Sequence, residues 1–170
     1  EITLGDVLTV LPFGNMLVTL DLTGEEIKQA LEHSVANIEE GAGQFMQVAG
    51  LRFKFDQAQP VGERVHGVDV KVDGEYIAIN EDETYTVATN AFTADGGDGY
   101  DMFKKAKDEG RITELFEVDY DVFSTYLENN NPVAPEVEGR IIAEVKSSDP
   151  EEPGEPENPE EPSACIPGPD

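Results

Sequence analysis

The chain has 170 residues, which is enough for one domain with an appendage. Its 37 acidic and 11 basic residues give a formal net charge of −26. Because nucleic acids and anionic lipids bind clustered Lys and Arg, this charge argues against both as partners. It also repels a free nucleotide at long range, so we expect any phosphate group to be neutralised by something outside this chain.

Two sequence features bear on location. No apolar run approaches the roughly 18 residues of a membrane helix, so we expect no membrane insertion. The sequence has no signal peptide and begins with Glu1, so we interpret it as an excised piece whose targeting segment, if any, is gone. The single cysteine, Cys165, excludes an internal disulfide, and it has no neighbouring base to activate it.

The N-terminal part predicts a strand between two helices. Residues 2–11 are typical of a short helix that Thr3 caps and that ends before proline. Residues 16–22 alternate as in a strand. The capping box Thr23-Gly24-Glu25-Glu26 then opens a helix to about residue 37, where apolar residues recur at helical spacing.

The remainder predicts mainly strands and short helices. Strands are expected at 45–48, 51–55, 65–72, 75–79 and 85–90, helices from about 101 and at 117–129, and a last strand at 139–145. Asp73-Gly74, between two of the strands, is the strongest short-range hairpin signal. Because the pattern is not a regular βαβ alternation, we predict an α+β fold, a single mixed domain with β-hairpins and about four helices.

The C-terminal tail differs in composition. Residues 147–170 hold 7 of the 11 prolines and 8 acidic residues, with no basic residue. Such a segment cannot form a helical ladder or bury a core. We therefore predict a domain over 1–146 followed by a disordered, acidic, Pro-rich spacer over 147–170.

Phe13 and Phe92 both stand beside glycine-bearing loops and outside the periodic core pattern. Each could be a core residue at a loop edge, or an exposed ring that contacts a ligand. Asp98, in the glycine-rich run 95–99, could cap the following helix or bind a ligand. A calcium loop starting at Asp95 is excluded, because its twelfth position is Ala106 rather than glutamate.

Several motifs together resemble the C-terminal domain of 5'-nucleotidases, a family of secreted or surface two-domain metallophosphoesterases. The two most specific are Leu11-Pro12-Phe13-Gly14-Asn15 and Asn90-Ala91-Phe92 followed by Gly96-Gly97-Asp98-Gly99-Tyr100. Further matches in the same order extend the resemblance over roughly residues 3–142: Asp21-Leu22-Thr23-Gly24, Leu31-Glu32-His33-Ser34-Val35, Gly43-Gln44-Phe45-Met46-Gln47-Val48 and Val137-Glu138-Gly139-Arg140.

The resemblance implies a substrate-binding domain. Phe13 and Phe92 would clamp a nucleoside base, and Asp98 would accept hydrogen bonds from the ribose hydroxyls. Asn15 would read the base edge, although it could equally be a turn residue, and Gly43 would contact the base. His33 and His66 fit no metal-ligand spacing, so we expect both to be structural.

The resemblance also implies what lies elsewhere. We expect no cofactor in this domain, a two-metal centre in a missing N-terminal metallophosphoesterase domain, and a nucleoside or nucleotide as ligand. The parent would be a 5'-nucleotidase outside the cell or at its surface (periplasm or cell wall), whereas this fragment alone would be inactive. The alternatives are a stand-alone nucleoside- or sugar-binding surface module without catalysis, and a domain that only mediates dimerisation.

Overall fold

Seven strands and five α-helices make up residues 2–144, the part of the chain that the computed structural model describes. In chain order they are α1 (Leu4–Val10), β1 (Met16–Thr23), α2 (Gly24–Val35), β2 (Leu51–Asp56), β3 (Val65–Val72), β4 (Glu75–Ala78), β5 (Thr84–Asn90), α3 (Ala91–Ala94), α4 (Asp101–Asp108), β6 (Ile112–Val118), α5 (Asp119–Asn129) and β7 (Ile141–Glu144). Short 3₁₀ turns cover Ile38–Glu40 and Gly97–Gly99.

The strands form two sheets. In the first, β1 lies between β5 and β6 and is antiparallel to both. The second has the order β4-β3-β2-β7, and only its β2–β7 pair is parallel. The helices do not alternate with parallel strands, so the predicted α+β class is confirmed.

The two predicted N-terminal caps are present. Thr3 and Asp6 form a capping box at α1, and Thr23 and Glu26 form another at α2. Each box satisfies two backbone N–H groups that a helix start leaves without partners. The Asp73-Gly74 hairpin is also confirmed, with φ of 50° and 91°, the left-handed pair that suits a two-residue turn.

Two local expectations were wrong, the helix start at 117 and the strand at 45–48, and two elements, β6 and α3, were not predicted. Residues 112–118 form strand β6, and α5 therefore begins at Asp119 rather than at 117. No side chain of β6 is buried and only those at its two ends are partly so, and its sequence lacks the alternation of a half-buried strand; pairing with β1 therefore decides its conformation. Segment 45–48 is not a strand. Its Met46 N–H donates to the Ser34 hydroxyl on α2 at 2.8 Å and not to a neighbouring strand. Helix α3 adds a fifth helix, which begins where Asn90 caps it.

The core forms where α2 packs on the central strand of the first sheet and on β3 of the second. Val18, Leu20 and Leu22 of β1 are buried against Leu31 and Val35 of α2. Glu32 of α2 accepts from the backbone N–H groups of residues 64 and 65 at 3.1 and 2.7 Å, which ties the helix to the start of β3. The C-terminal end of α2 is therefore a fixed support for neighbouring loops.

No helix within residues 2–144 is long and apolar enough to span a bilayer. The predicted spacer, residues 147–170, lies outside the described residues, as does the end of the predicted 1–146 domain.

Candidate functional site

A cavity of about 450 Å³ opens beside the end of the first sheet. It brings together all five candidate residues, which come from three separate segments of the chain. Its lining consists of Phe13, Asn15, Gly43, Gln44, Phe45, Met46, Asn90, Phe92, Thr93, Asp98 and Tyr100.

Antiparallel pairing brings Phe13 and Phe92 to this cavity although they lie far apart in the chain. Leu17, near the start of β1, pairs with Asn90, the last residue of β5. The loop that precedes β1 and the helix that follows β5 consequently lie at the same end of the sheet. Phe13 is 86% exposed and Phe92 is 51% exposed, so neither ring is a core residue.

The Phe13 loop is held by a glycine and by one backbone contact. Gly14 has a φ of +61°, a conformation that glycine adopts without the steric cost of a Cβ. The Asn15 carbonyl accepts from the Asp119 N–H at 3.0 Å, which attaches the loop to the start of α5. The loop backbone is thus fixed while the Phe13 ring extends into solvent.

Phe92 is placed by the helix that carries it. The Asn90 side chain accepts from the Thr93 N–H at 2.8 Å and from its hydroxyl at 3.0 Å, and so caps α3. The ring lies directly on the Gly97 backbone, because a Cβ added there would be 2.4 Å from the ring Cε1. Gly97 therefore covers part of Phe92, and only a glycine leaves the ring that space.

Asp98 lies in the tight turn between α3 and α4. Its φ of +54° and ψ of +21° are left-handed values, which are uncommon for a residue with a side chain. The expectation that it caps the next helix is wrong, because α4 starts after Tyr100 and has no side-chain cap. Its backbone carbonyl accepts from Nε2 of His33 at 2.8 Å. Its carboxylate forms no hydrogen bond or ion pair with other groups in residues 2–144 and lines the cavity.

Another part of the wall is the Gly43–Gln44 segment, which Tyr100 joins to the Asp98 turn. The Tyr100 ring is buried, and its hydroxyl donates to the Gln44 carbonyl at 2.5 Å. Burial raises the pKa of Tyr100 to about 12, and the nearby Asp98 charge adds to the increase. The phenol therefore keeps its proton, and this hydrogen bond persists throughout the neutral pH range. A Cβ added at Gly43 would meet no atom within 4 Å, so that position faces open space.

Sequence patterns did not assign several of the lining residues to the site, nor the residues that hold the lining in place. Gln44, Phe45, Met46 and Tyr100 were within quoted motifs, but nothing in their spacing assigned them to a cavity. His33 was expected to be structural, and it does contact the protein rather than open space. Its proximity to Asp98 depends on α2 and α4 packing together, which no local pattern reports.

Metal ligation finds no support in the described part of the chain. Within residues 2–144, no group of three or more His, Cys, Asp or Glu side chains is placed to hold a metal ion. The His66 Nε2 atom instead lies 2.9 Å from a Glu144 carboxylate oxygen. The resemblance itself places the two-metal centre in an N-terminal domain and not among these residues.

Comparisons with known proteins agree on one family. The family model for the 5'-nucleotidase C-terminal domain matches residues 1–105. The trifunctional nucleotide phosphoesterase protein YfkN of Bacillus subtilis is 48% identical over 145 residues, which are 83% of this chain and 10% of that protein. A snake venom 5'-nucleotidase of Macrovipera lebetinus is 35% identical over 144 residues, which are 82% of this chain and 35% of that protein.

A solved structure has the same fold. The 5'-nucleotidase precursor of Thermus thermophilus superposes with a TM-score of 0.80 and 44% identity, over 84% of this chain and 28% of that one. The chain thus spans between about a tenth and a third of the relatives named above. Because the family model covers well over half of the sequence and includes every residue that lines the cavity, the chain belongs to the 5'-nucleotidase C-terminal domain family.

Proposed function

We propose that this chain is the substrate-binding domain of a 5'-nucleotidase-like phosphomonoester hydrolase and that it grips the nucleoside half of a nucleotide. The observation that carries the proposal is a single cavity with two exposed phenylalanine rings and a carboxylate without a protein partner in residues 2–144. Exposed aromatic rings lose no core packing when a ligand covers them, and they offer it apolar surface. Membership of the family supports the same ligand class.

The base stacks between Phe13 and Phe92 in this proposal. An aromatic side chain contributes about 1–3 kcal/mol per base, and it accepts any base because every base has a π-face. Asn15 offers an amide donor and acceptor to the base edge, and Gly43 lets the base approach the backbone. Gln44 takes no such role through its side chain, since its amide is bonded to the His33 carbonyl and to Asn37.

The ribose meets Asp98. An ionised carboxylate accepts hydrogen bonds only, so it suits a diol, whose two hydroxyl groups can both donate to it. A phosphate in the same place would be repelled, because both groups are negative. The ligand is therefore oriented with its ribose at Asp98 and its phosphate directed away from this turn.

Hydrolysis requires groups that residues 2–144 do not offer. The two metal ions expected for this chemistry activate water and stabilise the phosphoryl oxygens, and they would be held by an N-terminal metallophosphoesterase domain of the whole protein. The acidic surface fits this division, since the metals rather than this domain would neutralise the phosphate. The relatives are three to ten times longer than the matched region, which leaves room for such a domain.

We further propose that the protein acts outside the cytoplasm, with residues 1–146 as the binding domain and residues 147–170 as a spacer. The similarity to a venom 5'-nucleotidase supports the location. The composition of 147–170, rich in proline and acid, supports the spacer.

A titration of the 170-residue chain tests the proposal. Adenosine and adenosine monophosphate are titrated separately by calorimetry, and phosphate release is followed with added Mn²⁺ or Zn²⁺. In about 0.15 M salt, which screens the long-range repulsion between the phosphate and the acidic chain, we expect similar, weak affinities for the two ligands and no phosphate release, because this domain contacts only the nucleoside. Glucose is the matched control, and binding of glucose with equal affinity would support the sugar-binding module instead. Absence of any nucleoside binding at millimolar concentration would refute the proposal.

A further inference from the structure

We propose that His33 is a positioning residue that holds the Asp98 carboxylate in place to meet the ribose diol. This inference rests on the proposed function, because it assigns Asp98 to the ribose. His33 itself does not line the cavity and need not touch the ligand. Its action is through the backbone of the turn that carries Asp98.

The geometry connects the two residues directly. Nε2 of His33, on α2, lies 2.8 Å from the Asp98 carbonyl oxygen, 65 residues further along the chain. A carbonyl only accepts, so Nε2 carries the hydrogen and donates it. Both the neutral Nε2–H tautomer and the imidazolium ion can make this bond, and the support therefore does not depend on the charge of the ring.

Two backbone hydrogen bonds close the Asp98 turn, from the Gly99 N–H to the Gly96 carbonyl at 3.2 Å and from the Tyr100 N–H to the Gly97 carbonyl at 3.3 Å, and neither engages the Asp98 carbonyl. The left-handed backbone of Asp98 is disfavoured for a residue with a side chain, and glycines flank it on both sides. Since Gly97 and Gly99 have no side chains, neither can anchor the turn through side-chain packing. A hydrogen bond to the Asp98 carbonyl fixes the peptide that follows Asp98, and thereby the direction in which its carboxylate leaves the backbone.

The imidazole is itself firmly held. Its ring meets Tyr100 edge-on, with centroids 4.8 Å apart and planes at 81°. On another side it touches Gly99, where an added Cβ would be 2.9 Å from the imidazole Cε1. Glycine at position 99 thus meets two requirements: the histidine ring occupies the space of a side chain, and the φ of +85° is one that a residue with a Cβ disfavours.

The same residue also contacts the Gly43–Gln44 wall of the cavity. The His33 backbone carbonyl accepts from the Gln44 side-chain amide at 2.5 Å, while the Tyr100 hydroxyl donates to the Gln44 carbonyl. The last turn of α2 therefore supports the Asp98 turn through a side chain and the Gly43–Gln44 wall through its backbone. Changing the side chain alone should affect only the first of these.

The test compares two ligands that differ only in the diol. Adenosine and 2',3'-dideoxyadenosine are titrated into the wild-type chain, His33→Leu and His33→Gln. In the wild type we expect the loss of the diol to weaken binding about tenfold, because hydrogen bonds to a charged group are lost. In His33→Leu, adenosine should bind about three- to tenfold more weakly while the dideoxy compound changes by less than about twofold. In His33→Gln, which keeps a donor at a similar reach, the discrimination should be restored.

Two further measurements separate positioning from general damage. His66→Leu removes the other histidine, which lies outside the cavity, and it should leave the discrimination unchanged. Without ligand, the amide resonances of Asp98 and Gly99 should shift in the ¹H–¹⁵N spectrum of His33→Leu and return in His33→Gln. If the leucine variant does not fold, His33→Ala carries the same comparison, since alanine suits a helix.

The outcomes distinguish the two proposals. Equal discrimination in the wild type and in a folded His33→Leu would overturn the role of His33 and leave the nucleoside site intact. Equal weakening of both ligands, or no recovery in His33→Gln, would also overturn it, because the imidazole would then act by bulk packing. If the wild type binds neither nucleoside, the proposed function fails and this inference fails with it.

Discussion

Replacement of Phe13 by alanine is the sharpest way to separate ligand binding from folding in this domain. The ring is 86% exposed, so its removal withdraws little apolar surface from the folded state. Surface substitutions of this kind usually change the free energy of unfolding by no more than about 0.5 kcal/mol. If the ring stacks on the base, its loss should weaken binding by about 1–3 kcal/mol. That range corresponds to a dissociation constant about 5- to 150-fold higher.

The assay needs only two measurements on each of three proteins. Adenosine binding is measured by calorimetry, and the free energy of unfolding by urea denaturation, for the wild type, Phe13→Ala and Tyr126→Ala. Tyr126 is a suitable control because it is an aromatic side chain, 54% exposed, that lies on α5 and does not line the cavity. We expect unchanged binding in the control. Unchanged binding in Phe13→Ala would refute stacking on this ring, and a large loss of stability would refute the argument from exposure.

Three further predictions concern the supports of the site and of the fold. Gly97→Ala should weaken adenosine binding on the order of tenfold, because the new Cβ displaces the Phe92 ring, and calorimetry would show it; wild-type affinity would contradict the contact. The hydrogen bonds from Arg111 lower the pKa of Glu26, so this carboxylate stabilises the fold above its ordinary pKa of 4.5, and that stabilisation is lost as pH falls through the lowered value. Glu26→Gln should therefore lower the free energy of unfolding by about 1–3 kcal/mol at pH 7, and the variant should lose less stability on acidification than the wild type does. Urea denaturation at several pH values measures both, and parallel pH profiles of the two proteins would contradict this. Arg64→Leu should lower the free energy of unfolding by about 2–3 kcal/mol, since the buried guanidinium donates to the carbonyl groups at the end of α2. A melting temperature equal to that of the wild type would disprove this.

Several elements of the fold follow from local sequence signals and could be predicted without the structure. The Thr23–Glu26 capping box and the apolar spacing of α2 predict that helix because both signals act within a few residues. The Asp73-Gly74 turn is predictable for the same reason, since the left-handed backbone it needs is a property of the residues themselves. Motifs around Phe13 and Asp98 indicated the family and, through it, the candidate residues.

Tertiary structure alone decided where those residues meet. β6 forms because β1 offers it hydrogen-bond partners, although its own side chains lack the pattern of a half-buried strand. Phe13 and Phe92 share one cavity only because β1 and β5 pair antiparallel in a particular register, and register depends on contacts between distant parts of the chain. The bond from His33 to the Asp98 carbonyl likewise depends on the packing of α2 against α4, which brings together groups with no local relation in the sequence.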